Sequence, residues 1–434
     1  MSARASSVGT DELAEARGRL AGRLRASGVA GAAVSEAFRT VPRHVFVSGE
    51  SAAEAYEDTA IVVKSDAVGL PVSASTQPAM MAIMLEQAGL AAGQRVLEVG
   101  TGTGYNAALI AEIVGDRGSV VTIDVESDLA DRARASLAAA GYPDVVVVQG
   151  DGADGVPGHA PYDRVIVTAG VWDLAPRWLA QLGPGGRIVA PISVRGIQLS
   201  VAFEHAATRW AGRSARRCGF IRMTGRSAGP EAVVPLGPQP GLHAVIADGP
   251  APGAGPLHEA LSGAEAEIAA PAGLRVSGIA ELADLDLWLA LTEPGLSRLN
   301  MMGRHEGHAN QSQRRIARRL PLGGLARYDA AGRLAVASVA VPSRLAGGDL
   351  PRGVAFHGYG PGGAALATHL AERAVVWDEL GRPGAGRLEL AAWPPGTRPE
   401  APEGTMIIRR PGTVLVAGWS AAAQRGAAWS PTQS

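Results

Sequence analysis

The stretch Val96-Leu-Glu-Val-Gly-Thr-Gly-Thr-Gly-Tyr105 decides the fold of this chain. It joins an apolar run, Arg95–Val99, to a helical pattern, Tyr105–Val114, through a turn with glycine at positions 100, 102 and 104. Glycine lets the backbone adopt positive φ angles and approach a ligand closely. Ligands of open α/β sheets bind just beyond the carboxyl ends of the strands, so this turn predicts a binding site. By itself the turn does not distinguish between cofactors, because dinucleotide-binding folds use similar turns.

The pattern of an apolar run followed by a helical run repeats along the chain. Strand-like runs cover Ser119–Val125, Val145–Val148, Asp163–Thr168 and Arg187–Pro191, and helical runs lie between them. Strands that alternate with helices form βαβ units and a mainly parallel sheet. The alternating run Gln198–Glu204 predicts an antiparallel strand that closes this sheet.

Length and a shift in composition predict a second unit. The chain has 434 residues, which is long for one domain. Pro, Gly and Ala are frequent around Arg226–Pro256, which indicates a boundary, and strand and helix patterns beyond it predict an α/β or α+β domain. The predicted organisation is a helical and loop segment at residues 1–75, an α/β domain at 76–225, a connecting segment at 226–256, a C-terminal domain at 257–420 and a flexible tail at 421–434.

Composition disfavours several partners and sites. Lys and Arg number 40 against 41 Asp and Glu, so the net charge of −1 does not favour nucleic acid or an anionic membrane. No segment has the length of a membrane span, so we expect a cytoplasmic protein without a membrane partner. Cys218 is the only cysteine, which excludes an intramolecular disulfide and a thiolate-rich metal site. His305 and His308 lack further ligands, and we interpret them as a surface loop or peptide contact rather than a metal site.

Acidic residues near the glycine-rich turn favour one class of cofactor. Glu98 precedes the turn, Asp124 closes the next strand, and Asp151 follows the strand after that. A carboxylate at position 124 can accept hydrogen bonds from both hydroxyls of a ribose, and one at position 151 is suitably placed for an adenine amino group. This set favours S-adenosylmethionine over a dinucleotide. The alternative is that these carboxylates belong to solvated loops.

Several further motifs occur in the order found in one protein family. They are Val41-Pro-Arg-His-Val-Phe-Val47, Ala55-Tyr-Glu-Asp58, Thr76-Gln-Pro78, Gly150-Asp-Gly152 and Gly155-Val-Pro-Gly-His-Ala-Pro-Tyr-Asp163. Together with the glycine-rich turn, they resemble the protein-L-isoaspartate O-methyltransferases over roughly residues 30–224. The resemblance implies a Rossmann-like, doubly wound class I methyltransferase sheet, S-adenosylmethionine as cofactor and a peptide carboxylate as methyl acceptor.

The resemblance also implies roles for individual residues. Thr76 and Ser75 would hold the acceptor carboxylate, although a threonine just before Gln-Pro is also a good helix N-cap. Tyr56 would shape the substrate mouth, with a plain loop as the alternative. The implied substrate-binding residues are Ser73, Tyr56, Ala169 and Gly170. The implied cofactor-binding residues are Glu98, Gly100, Thr101, Gly102, Gly104, Asp124, Val125, Asp151, Gly152 and Thr168.

The sequence departs from the family in three places. Thr76 stands where the family usually has Ser, Ala169-Gly170 replaces Ala-Ala, and the chain runs on for about as long again as the matching region. This extension, with Asp284–Gly295, resembles a branch that methylates an ordinary L-aspartate in a macrocyclic ribosomal peptide, which leads to an aspartimide that either persists or hydrolyses to isoaspartate. The resemblance implies a modified precursor peptide of lanthipeptide or graspetide type as partner, selected by residues 257–420. General repair of isoaspartyl damage and a non-catalytic binding protein remain the alternatives.

Overall fold

The computed structural model describes residues 10–47, 49–67, 69–236, 242–246, 251–269, 274–293, 295–303, 320, 324–328, 333–340, 352–400 and 405–419. We call residues 10–228 the N-terminal half and residues 229–419 the C-terminal half. His305, His308 and the predicted tail at 421–434 lie outside the described residues. Within the described ranges, every helix is too short or too polar to traverse a lipid bilayer.

The N-terminal half starts with short helices and a hairpin that lead into the sheet. Gly28, with φ of 75°, separates the first two helices. The hairpin pairs Ile61 with Ser75, and it brings Ser73 beside the glycine-rich turn at Gly102. The elements before the sheet are α1 (Thr10–Ala26), α2 (Ala32–Thr40), α3 (Arg43–Phe46), α4 (Ala52–Ala55), β1 (Ile61–Ser65), β2 (Pro71–Ser75) and α5 (Pro78–Ala88).

A parallel sheet follows and confirms the predicted Rossmann-like arrangement. Its strand order is β5-β4-β3-β6-β7, and all four pairings are parallel. Helices cover both faces of such a sheet, so its strands become continuous apolar runs, and Leu97, Val165 and Ile166 are fully buried. The elements are β3 (Arg95–Val99), α6 (Tyr105–Val114), β4 (Ser119–Asp124), α7 (Ser127–Ala139), β5 (Val146–Gln149), β6 (Tyr162–Val167), α8 (Pro176–Ala180) and β7 (Leu182–Val194).

Antiparallel strands continue the same sheet beyond β7. The strands β8 (Ile197–Ala206) and β9 (Arg209–Arg217) form the predicted antiparallel ribbon. Strands from the far end of the chain then pair with β9, because Ala391 lies opposite Ala211. Residues 389–418, expected in the C-terminal domain, therefore extend the sheet of the N-terminal half to ten strands.

The C-terminal half also forms a seven-stranded antiparallel sheet of its own. Its first two strands lie within residues 226–256, where the sequence predicted a connecting segment. The elements are β10 (Ala232–Pro235), β11 (Leu242–Ile246), α9 (Ala254–Ser262), β12 (Glu265–Ala269), β13 (Arg275–Val276), α10 (Ile279–Thr292), β14 (Ser297–Gly303), β15 (Gly324–Tyr328), β16 (Leu334–Ala340), β17 (Arg352–Gly353), β18 (Ala355–Tyr359), α11 (Gly363–Glu379), β19 (Glu389–Trp393), β20 (Met406–Arg409) and β21 (Val414–Gly418).

The two halves share a hydrophobic core. One cluster of buried side chains contains Ile192 and Val194 of β7 together with Leu285 and Leu289 of α10. A polar junction reinforces it, since the carboxylate of Asp173 accepts hydrogen bonds from two groups just before β21. The predicted domain limits stay a prediction, because a shared sheet and a shared core cross them.

Candidate active site

A cavity of about 840 Å³ opens at the carboxyl ends of β3, β4 and β6. The glycine-rich turn, the β1–β2 hairpin, the β7–β8 turn and residues 217–224 line it. Strands β11 and β14 of the C-terminal half add Val245, Arg298 and Asn300. A cavity of this size is typical of ligand sites, and both halves of the chain build it.

The glycine-rich turn fits its surroundings only with glycine at its critical positions. Gly100 has φ of 103°, and a Cβ there would lie 2.6 Å from the hydroxyl oxygen of Thr168. That hydroxyl donates a hydrogen bond of 2.6 Å to the carbonyl of Gly100. Gly104 has φ of 87°, and its Cβ would meet Ala133 of α7 at 3.3 Å, so it serves helix packing and lies outside the cavity lining. Gly100 and Gly102 leave a cradle that a side chain would fill.

Glu98 supports the turn from within the protein. Its side chain is fully buried, and it accepts hydrogen bonds from Asn106 at 2.8 Å and from Thr122 at 2.6 Å. Since the Thr122 hydroxyl donates to Glu98, the hydroxyl of Thr101 donates to Thr122, at 2.8 Å. Burial raises the pKa of Glu98 to about 7, although both hydrogen bonds lower it. Glu98 also lines the cavity, as the sequence predicted.

Asp124 lies at the end of β4 and faces the cavity. One carboxylate oxygen accepts from the backbone N–H of Gly102 at 2.8 Å, and the other accepts from Glu126 at 3.0 Å. Burial raises the pKa of this carboxyl, while the two backbone hydrogen bonds lower it. Val125 follows with 41% of its surface exposed and also lines the cavity. A carboxylate beside an exposed apolar side chain can hold a ribose and an adjacent ring.

Asp151 departs from its predicted role. It lies outside the cavity lining, whereas its neighbour Gly152 lies within it. Its carboxylate accepts hydrogen bonds from the backbone of Ala153 at 2.9 Å and from the backbone and side chain of Arg226 at 3.0 and 3.2 Å. Burial raises the pKa of Asp151, but these hydrogen bonds outweigh it and lower the pKa below its ordinary value. Arg226 thus binds one of the two carboxylate oxygens that the sequence assigned to adenine.

The predicted acceptor residues lie on the other side of the turn. Ser73, Ser75 and Thr76 all line the cavity. Asp58, and not Thr76, caps α5, since its carboxylate accepts from the backbone of Ala79 at 2.8 Å. The helix N-cap is Gln77 and has no side-chain cap of its own. The Thr76 hydroxyl is therefore not used for capping.

Arg43 organises this acceptor loop, although the sequence analysis assigned it no role. Its side chain is fully buried and donates at 3.5 Å to the hydroxyl of Ser75. Burial lowers the pKa of the guanidinium, while neighbouring tyrosine and aspartate side chains raise it. The other acceptors are the backbone carbonyls of Ala55, Glu57, Thr59 and Thr76. The sequence signal for this role of Arg43 is its position as a basic residue inside the apolar segment Val-Pro-Arg-His-Val-Phe-Val.

Tyr56 does not fill its predicted place at the substrate mouth. It is 2% exposed and packs in the core under α1 and α2. Its hydroxyl lies 2.8 Å from Nδ1 of His44. Tyr56 thus stabilises the loop that carries Asp58, and it does not line the cavity.

The departure at Ala169-Gly170 has a structural cause. A Cβ at position 170 would collide with the side-chain amide of Gln198. Gln198 in turn joins to Phe220, because its amide donates to the carbonyl at 3.0 Å and accepts from the N–H at 2.6 Å. Ala169 lines the cavity and Gly170 does not. The smaller residue makes room for the glutamine that fixes the segment around Phe220 at the cavity wall.

Cysteine and metal chemistry have no support among the described residues. Cys218 lines the cavity, but burial raises its pKa to about 12, so the thiol stays protonated at neutral pH. No group of three His, Cys, Asp or Glu side chains in the described ranges could hold a metal ion.

Similarity to known proteins identifies the family. The family model described as protein-L-isoaspartate(D-aspartate) O-methyltransferase matches residues 15–228. Protein-L-isoaspartate O-methyltransferase 2 of Archaeoglobus fulgidus is 47% identical over 178 residues, which cover 41% of this chain and 78% of that protein. The chain belongs to the protein-L-isoaspartate O-methyltransferase family. The family member of Ignicoccus hospitalis is 47% identical over 159 residues, covering 37% of this chain and 72% of that protein. A solved structure of a protein-L-isoaspartate O-methyltransferase overlaps 86% of this chain and 96% of its own, with a TM-score of 0.48 and 23% identity.

Membership makes this protein a carboxyl O-methyltransferase with S-adenosylmethionine as its cofactor, which confirms both predictions. The cofactor supplies an electrophilic methyl group. The space left at Gly100 and Gly102 would let the cofactor lie close to the backbone, and the Asp124 carboxylate would bind its ribose hydroxyls. A carboxylate acceptor is already ionised near neutrality, so the protein needs no general base. Its residues contribute orientation of the acceptor and exclusion of water.

Proposed function

We propose that this enzyme methylates the α-carboxylate of L-isoaspartyl residues in damaged proteins and peptides. The similarity of the N-terminal half to protein-L-isoaspartate O-methyltransferases is the observation that carries the proposal. Two departures from the family's usual motifs, at Thr76 and Gly170, lie on the acceptor side. Both departures keep the chemistry of the site, because threonine retains the hydroxyl and Gly170 accommodates Gln198.

In this proposal the two sides of the glycine-rich turn have separate tasks. Gly100, Gly102 and Asp124 hold the cofactor, while the hydroxyl of Thr76 orients the acceptor oxygen. The isoaspartyl carboxylate oxygen would attack the methyl carbon of bound S-adenosylmethionine as the carbon–sulfur bond breaks, which would give a methyl ester and release S-adenosylhomocysteine. An ester is a better electrophile than a carboxylate, so the neighbouring backbone amide closes a succinimide and releases methanol. Hydrolysis of that ring restores some normal aspartate.

A pair of linear peptides tests the proposal. One peptide contains L-isoaspartate, and the other contains L-aspartate in the same sequence. We expect methylation, followed by methanol release, of the isoaspartyl peptide alone. Methylation of neither peptide, with cofactor binding intact, would contradict the proposal.

A second candidate is methylation of L-aspartate in a modified ribosomal peptide of lanthipeptide or graspetide type. The contribution of the C-terminal half to the cavity favours it, because Val245, Arg298 and Asn300 border the same space as Thr76. A constrained macrocycle could use such an added wall. Methylation of an L-aspartyl macrocycle together with inactivity toward linear isoaspartyl peptides would establish this candidate in place of the first.

A further inference from the structure

Three arginines line one part of the active-site cavity. Arg217 ends β9, Arg222 follows it, and Arg298 comes from β14 of the C-terminal half. We call these three residues the arginine end. Its position relative to the acceptor is defined by the backbone, since Arg222 forms a β-bridge with Gly170. The arginine end therefore adjoins the residues predicted to contact the methyl acceptor.

The charges of the cavity are segregated. The lining near β4 and the hairpin contains Asp66, Asp124 and Glu126. Near the arginine end the lining contains Glu231, which lies 3.7 Å from Arg222 and offsets part of its charge. Sheet order separates the two groups, because β6, β7 and β8 lie between β3 and β9. Strands in a sheet are about 4.8 Å apart, so the acidic residues near β4 and the arginine end are farther apart than one hydrogen bond can span. Charges of one sign focus a potential that favours the opposite sign in a ligand.

A buried carboxylate holds two of the arginines in place. Asp286 of α10 is 5% exposed and lies 2.6 Å from Nη1 of Arg298 and 3.5 Å from Arg217. Arg217 also donates to the carbonyl of Ala283 at 2.7 Å. Asp286 itself is absent from the cavity lining, so it is a positioning residue. A guanidinium fixed in this way loses little freedom when it binds a ligand.

The β7–β8 turn fixes the remaining geometry. Asn300 accepts from Nε of Arg298 at 3.0 Å and donates to the carbonyl of Gly196 at 2.7 Å. Gly196 has φ of 77°, and a Cβ there would lie 2.9 Å from Cβ of Arg298. Gly196 of the N-terminal half thus lies against Arg298 of the C-terminal half, where a larger residue would not fit. This contact places Arg298 within the catalytic cavity and not on a separate surface.

We infer that the arginine end binds a second carboxylate of the peptide substrate, on a side chain next to the methylated residue. The inference rests on the proposed function for the acceptor and adds a preference for acidic neighbours. Guanidinium groups recognise carboxylates by charge-assisted hydrogen bonds, which are stronger than neutral ones, and their value increases away from bulk water. A neutral neighbour would lack this contact.

The test uses isoaspartyl peptides in which one neighbouring position at a time carries Glu, each matched by a peptide with Gln there. Affinity for the full chain saturated with S-adenosylhomocysteine is measured, so the readout does not depend on turnover. We expect roughly tenfold tighter binding of the Glu peptide for at least one position, as for one charged hydrogen bond. Equal affinity at every position, or binding of no peptide, overturns the inference. Turnover of the same peptides tests the proposed function separately.

Two variants assign the preference to these residues. Arg222→Gln removes a charge from a side chain that is 47% exposed, and Arg298→Gln removes a buried charge while Asp286 keeps its ion pair with Arg217 at 3.5 Å. We expect each variant to reduce the Glu over Gln preference at least threefold. The control is Arg209→Gln, because Arg209 stacks on Trp393 outside the cavity. This variant should keep the full preference. An unchanged preference in both test variants overturns the inference.

Discussion

The two halves of the molecule build one cavity in different ways. The N-terminal half supplies its residues from consecutive strand–turn–helix units of a parallel sheet, so Glu98, Gly100 and Gly102 are close in sequence and in space. The C-terminal half supplies single side chains, such as Arg298, from antiparallel strands whose own hydrogen bonds lie elsewhere. The difference teaches that one wall of the cavity is encoded in a single local stretch of sequence, while the opposite wall is completed by side chains from distant segments.

The first prediction concerns the glycine-rich turn of the N-terminal half. Gly100→Ala forces a Cβ to 2.6 Å from Thr168 at φ of 103°, so we expect roughly 1,000-fold weaker S-adenosylmethionine binding, measured by calorimetry. Gly141→Ala is the matched control, since it has φ of 91° but open space around it, and it should lower stability without changing cofactor affinity. Equal loss in both variants would mean that general strain, and not the cradle, governs binding.

The second prediction concerns the buried Glu98. Because burial raises its pKa to about 7 in the folded protein, folding takes up a proton between pH 4.5 and 7. The stabilising contribution of the neutral acid is therefore present below pH 4.5 and lost as the pH rises to 7. We expect the free energy of unfolding of the wild type, relative to Glu98→Gln, to fall by about 3 kcal/mol across this window, measured by urea denaturation.

Asp128 supplies the control for this titration. Its pKa is lowered by the hydrogen bond from Lys64, so its contribution should be present above its unfolded pKa and be lost as the pH falls. Asp128→Asn should therefore change the pH profile in the opposite direction. A wild-type profile parallel to that of Glu98→Gln would contradict the raised pKa.

The third prediction separates cofactor from acceptor within the N-terminal half. Thr76→Ala removes a hydroxyl that lines the cavity and does not cap α5, so we expect kcat to fall roughly 10- to 100-fold with cofactor affinity unchanged. Thr76→Ser retains the hydroxyl and should preserve most of the activity. Loss of cofactor binding in the alanine variant, with the fold intact, would show that Thr76 serves the cofactor instead.

The fourth prediction tests how firmly the halves are joined. Asp173 accepts hydrogen bonds of 2.6 Å from the N–H of Gly412 and the hydroxyl of Thr413, so Asp173→Ala should lower the free energy of unfolding by about 2 kcal/mol. Asp131→Ala, an exposed acid of α7, is the control and should have little effect. Two separate thermal transitions in the Asp173 variant would sharpen the comparison, since they would show halves that unfold independently.

The smallest effect is expected at the hairpin over the cofactor site. Lys64, the single lysine of the chain, lies 2.5 Å from Glu126 and 2.6 Å from Asp128 and so ties β1 to the start of α7. We expect Lys64→Gln to raise the cofactor dissociation rate about two- to fivefold in stopped-flow measurements, with the difference shrinking in high salt. Lys64→Arg keeps the charge and should stay close to the wild type. An unchanged cofactor dissociation rate in Lys64→Gln at low salt would contradict this role of the Lys64 ion pairs.

Sequence reasoning worked best where one local pattern carries both structure and chemistry. The strands around the glycine-rich turn agree with expectation, and Asp124, a predicted cofactor-binding residue, lines the cavity. Sequence reasoning was less informative where a polar side chain has several possible partners in the fold. Asp151 pairs with Arg226, which lies 75 residues away, and Tyr56 turns inward to His44. No local pattern distinguishes these partners from a ligand.

The sequence by itself determined the glycine-rich side of the cavity. A strand, a glycine turn and a helix are contiguous, and positive φ at Gly100 is a local requirement that only glycine meets without strain. Only the tertiary structure decided which residues close the other side of the cavity. Arg298 reaches it because Gly196 leaves room for its Cβ and Asp286 holds its guanidinium, and these three positions meet only through the packing of α10 and β14 against the β7–β8 turn. Long-range packing and charge pairing are properties of the folded chain, so no stretch of sequence carries them alone.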